Sequence, residues 1–318
     1  MKHFVFYKGK APVIAVPVGA GLKVAFISVG CFPSHTFIRK AFKIYMLLRI
    51  SLYFFVPLKS GKIDNLLKEW FERSQVSKGL YPVFIWSLVD GRERYYVHLL
   101  DKKGNKRYFA KITAKKDNYQ LLENEKNSLE YFLNAKTFSV PEIVHFTKGN
   151  LFCSLITKYI GIGYSLSHPE SNTFPGKISN EISGEVQNLL VDEVIDRNSI
   201  KKQNTLNDYI KSLDKDILVK VVRVHGDFGS ENIFKNSVGK YLIIDWERSK
   251  DKSPYLVDQI AFWLGKNHRL VKENSKITYA DFRHDFEEYS DIDIALGLYF
   301  LNSAEFNLAE LISNNWTK

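Results

Sequence analysis

The stretch Val224–Glu247, VHGDFGSENIFKNSVGKYLIIDWE, constrains this chain more than any other. It opens with His225-Gly226-Asp227, reaches Asn232 five residues after Asp227, and passes a turn centred on Asn236, Ser237 and Gly239. Tyr241-Leu242-Ile243-Ile244 then reads as a short buried strand. That strand ends in Asp245-Trp246-Glu247, with Asp245 thirteen residues after Asn232. A loop followed by a hairpin brings Asp227, Asn232 and Asp245 to one place. Oxygen donors of this kind suit Mg²⁺, which is hard and octahedral and is usually shared between protein carboxylates, phosphate and water. The other requirement of phosphoryl transfer, a carboxylate that orients a hydroxyl and accepts its proton, would fall to Asp227.

Two alignments compete for the same letters. Asp227-Phe228-Gly229 spells the D-F-G of protein kinases, in which the Asp holds metal. His225 before Asp227, and Asn232 after it, fit the H-x-D-x-x-x-x-N catalytic loop instead. The second alignment makes Asp227 the base and leaves the metal to Asn232 and to Asp245 after the next strand. With these residues the segment resembles the aminoglycoside phosphotransferase and choline kinase group of small-molecule kinases, over roughly residues 80–265. The resemblance implies an α+β class and a bilobal protein-kinase-like fold, with a β-rich N-lobe and a mainly helical C-lobe. It implies ATP and Mg²⁺ as cofactors and a small-molecule hydroxyl as acceptor.

The chain upstream suits that reading. Tyr81–Leu88, Arg94–Leu100 and Lys106–Thr113 read as strands, with turns at Asp90-Gly91 and Lys103-Gly104-Asn105. The third carries Ala110-Lys111-Ile112, similar to the kinase strand whose Lys meets the nucleotide phosphates. Tyr119–Ala135 has helical spacing in Leu122, Leu129, Phe132 and Leu133. Glu125 on this helix is the expected partner of Lys111, with Glu123 as the competitor. The loop Leu88–Glu93 holds one glycine and no G-x-G-x-x-G, so its phosphate contacts stay undefined. Leu151–Ile156 reads as a strand, and Thr157-Lys158-Tyr159-Ile160-Gly161 resembles the hinge between lobes, where Thr157 and Tyr159 would meet adenine. Residues 162–180 read as a loop, followed by helices at roughly 181–196 and 203–217. Asp258 matches a family Asp that braces the catalytic loop. Residues 266–318 read as mainly helical. Asp281, Asp285, Glu287, Glu288, Asp291 and Asp293 there read first as a solvated face, and second as a lining for a cationic acceptor.

The first 63 residues differ from the rest. They hold ten of the 45 Lys and Arg and no Asp or Glu, which leaves 35 basic against 35 acidic residues elsewhere. Phe4–Tyr7 and Lys23–Ile27 read as short strands between Gly and Pro breaks. The apolar run Ala11–Leu22 is broken by Pro12, Pro17, Gly19 and Gly21, so it does not read as a secretory signal. Thr36–Val56 reads as a helix with a basic half and an apolar half. Its four charges argue against a membrane span. Two readings stay open: a helix packed on the kinase-like lobe, or an interfacial helix on an anionic membrane surface. Lys62–Gln75 reads as a further short helix.

The chain thus divides into a basic, apolar N-terminal extension over 1–75, an N-lobe over 76–160 and a C-lobe over 161–318. Two cysteines, Cys31 and Cys153, make no disulfide framework, which with ATP use points to the cytoplasm, as a free protein or held at the inner face of a membrane. The basic segment is apolar rather than polar, so no nucleic-acid partner is expected. The alternative function is a catalytically weak or inactive kinase-fold binding protein associated with a membrane surface. The residues at Lys111, Glu125, Asp227, Asn232 and Asp245 are those the chemistry needs, which argues for an enzyme.

Overall fold

Phe4, Phe6, Ile14, Val16, Val83 and Ile85 alternate along the chain with Val5, Ala15 and Phe84, and that period of two builds the first part of the molecule. The computed structural model describes residues 2–33, 37–56, 63–87, 93–160, 174–194, 216–235, 239–272 and 279–302. The chain divides into two compact units, Met1–Glu130 with Pro141–Ile162, and Tyr131–Val140 with Gly163–Lys318. The class is α+β, as expected, with an antiparallel sheet early in the chain and helices later.

In the first unit, β1 (His3–Lys8), β2 (Ala11–Pro17), β3 (Tyr81–Trp86), β4 (Arg94–Leu100), β5 (Lys106–Thr113), β7 (Ile143–Lys148) and β8 (Cys153–Lys158) form a seven-stranded sheet in the order β1-β2-β3-β4-β5-β8-β7; β6 (Phe138–Ser139) belongs to the second unit. Both faces of the sheet are covered. Phe4, Phe6, Ile14, Val16, Val83 and Ile85 pack with α1 (Leu22–Val29) and α2 (Phe37–Phe55). Val5, Ala15, Phe84, Val97, Leu99, Ala110 and Ile112 pack with Leu67 and Trp70 of α3 (Asn65–Arg73). The helix α4 (Tyr119–Tyr131) contributes Tyr119 and Leu122 to a smaller cluster with Cys153.

Two expectations change here. Lys23–Ile27, read as a strand, lies in α1, where Val24, Ala25, Ser28 and Val29 are buried at helical spacing. A short apolar run carries too little period to separate the two states. Residues 1–75, read as an extension, share the first unit with the strands that come after them: β2 pairs with β3 through Ile14 opposite Ile85 and Ala15 opposite Phe84.

Among the described residues, the second unit holds two three-stranded sheets besides its helices. β9 (Gln187–Leu190), β10 (Leu218–Val224) and β13 (Lys250–Pro254) lie in the order β13-β10-β9, and β11 (Ile233–Lys235) and β12 (Tyr241–Ile243) join β6 in the order β11-β12-β6. The helices are α5 (Gly176–Ser183), α6 (Val191–Val194), α7 (Val257–Lys272), α8 (Tyr279–Asp285) and α9 (Ile292–Asn302). Val219, Leu256, Ile260, Leu264, Phe282, Ile292 and Leu298 form the core beneath them. Over the described part, 181–194, of the helix expected at 181–196 stand the end of α5, the strand β9 and the single turn of α6. Gly184, at φ 57°, closes α5, and β9 exists because Gln187–Leu190 pairs with Leu218–Val221, a partner distant in sequence. Residues 203–215 of the next expected helix lie outside the described residues, as do 88–92 of the loop expected to cover phosphate and 161–173 of the loop before α5.

Candidate active site

In the second unit the site grows from the end of β10. The backbone N–H groups of His225 and Gly226 donate to the two carboxylate oxygens of Asp258, at 2.8 and 2.9 Å. Asp258 sits in the first turn of α7 and is fully buried. Burial raises its pKa, against the pull of His225 and the two N–H donors. The Asp227 N–H meets His225 Nδ1 at 3.3 Å, which leaves Nε2 as the donor to the carbonyl of Ile244 at 2.9 Å. One imidazole thus ties the loop to the residue before Asp245. Asn232 closes the circuit: its Nδ2 donates to the Asp227 carbonyl at 2.8 Å, and its own carbonyl accepts from the Ile244 N–H at 3.0 Å. The three residues expected to act together are held on one hydrogen-bonded frame.

Trp246 supports the frame from within. Its indole N–H donates to the Ile243 carbonyl at 3.1 Å, and its ring lies against His225, Phe132 and Phe138 at centroid distances of 4.5, 4.7 and 5.9 Å. Asp245 itself is left-handed, at φ 65° and ψ 51°, a conformation that Asp tolerates better than most residues. Gly226 is also at positive φ, 79°, and a Cβ there would stand 2.2 Å from the carbonyl oxygen of Arg248. Only glycine fits between the loop and that carbonyl.

The donor set suits a hard cation. Carboxylate oxygens of Asp245 and Glu247 come within 4.8 Å of each other, and Glu247 is buried. Like charges this close disfavour each other unless a cation lies near. Asn232 turns its nitrogen to Asp227, so its Oδ1 is the end that can meet a metal. Sequence reasoning assigned Glu247 no role; its signal was a carboxylate two residues beyond Asp245, just after the apolar run Tyr241–Ile244.

In the first unit, Lys111 stands on β5 between Ala110 and Ile112, so the pleat turns it to the opposite sheet face from those two. Its Nζ meets both carboxylate oxygens of Glu125 on α4, at 2.9 and 2.7 Å, and the pair is buried. The competitor Glu123 pairs with Lys148 at 2.7 Å. The adenine contacts fare differently. Thr157 lies inside β8, opposite Phe109 of β5, rather than in a free hinge. The Tyr159 N–H already donates to the Arg107 carbonyl at 2.9 Å, and its hydroxyl accepts from Lys106 at 3.1 Å. The Tyr159 N–H, one of the backbone groups of the expected hinge, is therefore engaged within the unit. Of the late acids, Asp285 accepts from the Trp263 indole at 2.7 Å, and Asp293 lies 3.4 Å from Arg283.

No family model and no curated protein matches the chain. Among solved structures it is similar to an aminoglycoside-3'-phosphotransferase of type VIII, at 14% identity over 78% of this chain and 98% of that one, with a TM-score of 0.48. It is similar to the GDP complex of wild-type aminoglycoside 2'-phosphotransferase-IIIa, at 13% identity over 79% and 96%, with a TM-score of 0.46. The apoenzyme of a macrolide 2'-phosphotransferase from Brachybacterium faecium aligns at 12% identity over 79% and 98%, with a TM-score of 0.42. At these values the likeness is one of fold and is partial. The functional reading rests on the hydrogen-bonded frame around Asp227 and on the buried Lys111–Glu125 pair.

Proposed function

We propose that this protein is an ATP- and Mg²⁺-dependent phosphotransferase that moves the γ-phosphoryl group to a hydroxyl of a small molecule such as a sugar, an amino alcohol or an aminoglycoside-like compound. The observation that carries the reading is the frame of His225, Asn232 and Asp258, which ties the Asp227 loop to the strand that ends in Asp245. Asp227 would accept the proton of the acceptor hydroxyl as its oxygen forms the new bond to phosphorus. The bond from phosphorus to the bridging oxygen then breaks and ADP leaves. Lys111, its ammonium oriented by Glu125, would meet the α- and β-phosphates. Asn232 and Asp245, with Glu247 close by, would hold Mg²⁺, which when bound offsets charge on the phosphate oxygens. Adenine at the end of β8 would use carbonyl oxygens of the Thr157–Tyr159 segment, since the Tyr159 N–H is engaged.

Cys31 and Cys153 are free and buried, and burial pushes both thiols up to about 11. Neither suits a nucleophile. With ATP as donor and both cysteines free, the compartment we propose is the cytoplasm.

Mg-ATP binding is read by calorimetry, and phosphorylation is followed across a panel of sugars, amino alcohols and aminoglycosides. Asp227→Asn keeps the shape of the side chain and removes the proton acceptor. It should lower phosphotransfer by at least about 10²-fold while leaving Mg-ATP affinity within a few-fold. Near-native turnover in Asp227→Asn, or no Mg-ATP binding by the unaltered chain, overturns the assignment.

A further inference from the structure

We propose that α2 is a docking surface for an anionic lipid bilayer. A helix on the outside of a folded unit ordinarily buries its apolar stripe and turns charge to water. α2 does so on one side only. Met46 and Ile50 are buried in the cluster of β1, β2 and α1, with Phe42, Leu47 and Tyr53 packed beside them. The other side is apolar too. Phe37 is 85% exposed, Ile38 76%, Ile44 60%, Leu48 61%, Leu52 51% and Phe55 83%. At 3.6 residues per turn these six fall within an arc of about 120°, on a helix of about 28 Å. They make one continuous stripe rather than scattered exposed side chains, and such a stripe marks an interaction site.

The charge around the stripe says what covers it. On the same helical projection Lys40 lies beyond one edge and Arg49 beyond the other, while Arg39 and Lys43 fall on the core-facing half. Residues 1–63 hold ten basic residues and no acid. An apolar stripe edged by cations fits the boundary between acyl chains and anionic headgroups, with the helix lying in the plane of the surface. It does not cross: no helix among the described residues is long and apolar enough to do so. A second copy of the chain fits less well, because two such helices face to face would set cation against cation with no acid in the segment to answer. Nucleic acid would take the cations and leave the stripe in water. The inference is independent of the phosphotransfer reading, since it uses no residue of the candidate site.

The test is flotation of the full chain with vesicles of phosphatidylcholine alone or mixed with phosphatidylglycerol. The expected result is retention on the anionic vesicles at low salt, release as salt rises, and little retention on the neutral ones. Leu48→Gln with Leu52→Gln, both exposed, should abolish retention without moving the unfolding midpoint. Lys40→Gln should weaken it about fivefold, the effect of one charge near the surface. Failure to float with anionic vesicles at low salt overturns the proposal, as does equal retention on neutral ones. A concentration-dependent dimer that Leu48→Gln with Leu52→Gln dissolves, in a chain that ignores vesicles, also overturns it and gives the stripe to a second copy.

Discussion

Gly226→Ala is the smallest change that tests whether the loop carrying Asp227 is fitted to its surroundings. The added Cβ would lie 2.2 Å from the Arg248 carbonyl oxygen, and real Cβ atoms essentially never come within 3.0 Å of such an atom. Something must move by roughly 1 Å. The Arg248 side is held, because the next residue, Ser249, bonds to the Val224 carbonyl through its hydroxyl at 2.9 Å and to Trp246 through its N–H at 3.0 Å. The loop therefore gives way, and the Gly226 N–H leaves Asp258. A left-handed alanine costs about 1–2 kcal/mol, and a lost hydrogen bond to a charged group about 1.5–3 kcal/mol. The sum, roughly 2.5–5 kcal/mol, is read as a shift in the urea midpoint. Displacing Asp227 by about 1 Å should also cost on the order of 10²-fold in phosphotransfer. Gly239→Ala is the control: φ is 83° there as well, but the nearest atom is the flexible end of Lys235 at 3.8 Å. It should cost the backbone term alone and leave turnover near native. A Gly226→Ala protein within 1 kcal/mol of the parent and with native turnover would refute the fitted-loop argument.

Two further outcomes concern buried charge. Burial, helped by the nearby Lys106 cation, lowers the pKa of His98 from 6.5 to about 3. Between those values the unfolded chain binds a proton that the folded one excludes, so stability is complete above pH 6.5 and is lost as pH falls toward 3. The loss at pH 5 is about 2 kcal/mol, and His98→Phe should flatten that part of the stability profile; a parallel profile would sink the assignment. Lys111→Met and Glu125→Leu each break a buried ion pair and should each cost roughly 3–5 kcal/mol. The double replacement should cost clearly less than the two together in a mutant cycle by urea unfolding, and strict additivity would deny the coupling.

What could be read from the chain was whatever its local period announces. Lys111 stands between two residues of one sheet face, so the pleat alone places it on the other. Glu125 is separable from Glu123 by the same reasoning: Leu122, Glu125 and Leu129 share the buried face of α4 at spacings of three and four, whereas Glu123 is turned away and meets Lys148. The loop and hairpin from His225 to Asp245 were legible because spacing and residue type agree. What stayed hidden depends on distant partners. β9 is a strand because of β10, and neither segment advertises the other. Thr157 belongs to β8 because pairing with Phe109 carries the strand into the expected hinge. The engagement of the Tyr159 N–H by Arg107 is a tertiary fact with no local signature. For 1–75, the charge bias drew attention from the period-two alternation that seats β1 and β2 in the sheet.

Asp245 separates a functional turn from a merely structural one. Among the described residues, it and Glu93 are the non-glycine residues at positive φ. Such strain, of order 1–3 kcal/mol, persists where the surroundings over-determine it. Here they do: the Ile244 N–H and carbonyl are both taken, by Asn232 and His225, and Trp246 is wedged among three rings while its indole holds Ile243. If the turn were only a turn, glycine would serve it better. Asp245→Gly removes the strained Cβ and the carboxylate facing Glu247, and adds the entropy that glycine loses on folding. The first gain is about 1–2 kcal/mol, and the entropy cost about 0.5–1 kcal/mol. Those two terms alone would let stability hold or rise by up to about 1.5 kcal/mol in urea unfolding. Under the proposed function, Mg²⁺-dependent ATP binding should meanwhile vanish in calorimetry, because a principal metal ligand is gone. Unchanged Mg-ATP affinity in a well-folded Asp245→Gly protein would transfer the metal role away from Asp245 and restore Asp227-Phe228-Gly229 as the metal-binding triplet. A large loss of stability would instead make Asp245 a structural residue whose carboxylate holds the turn.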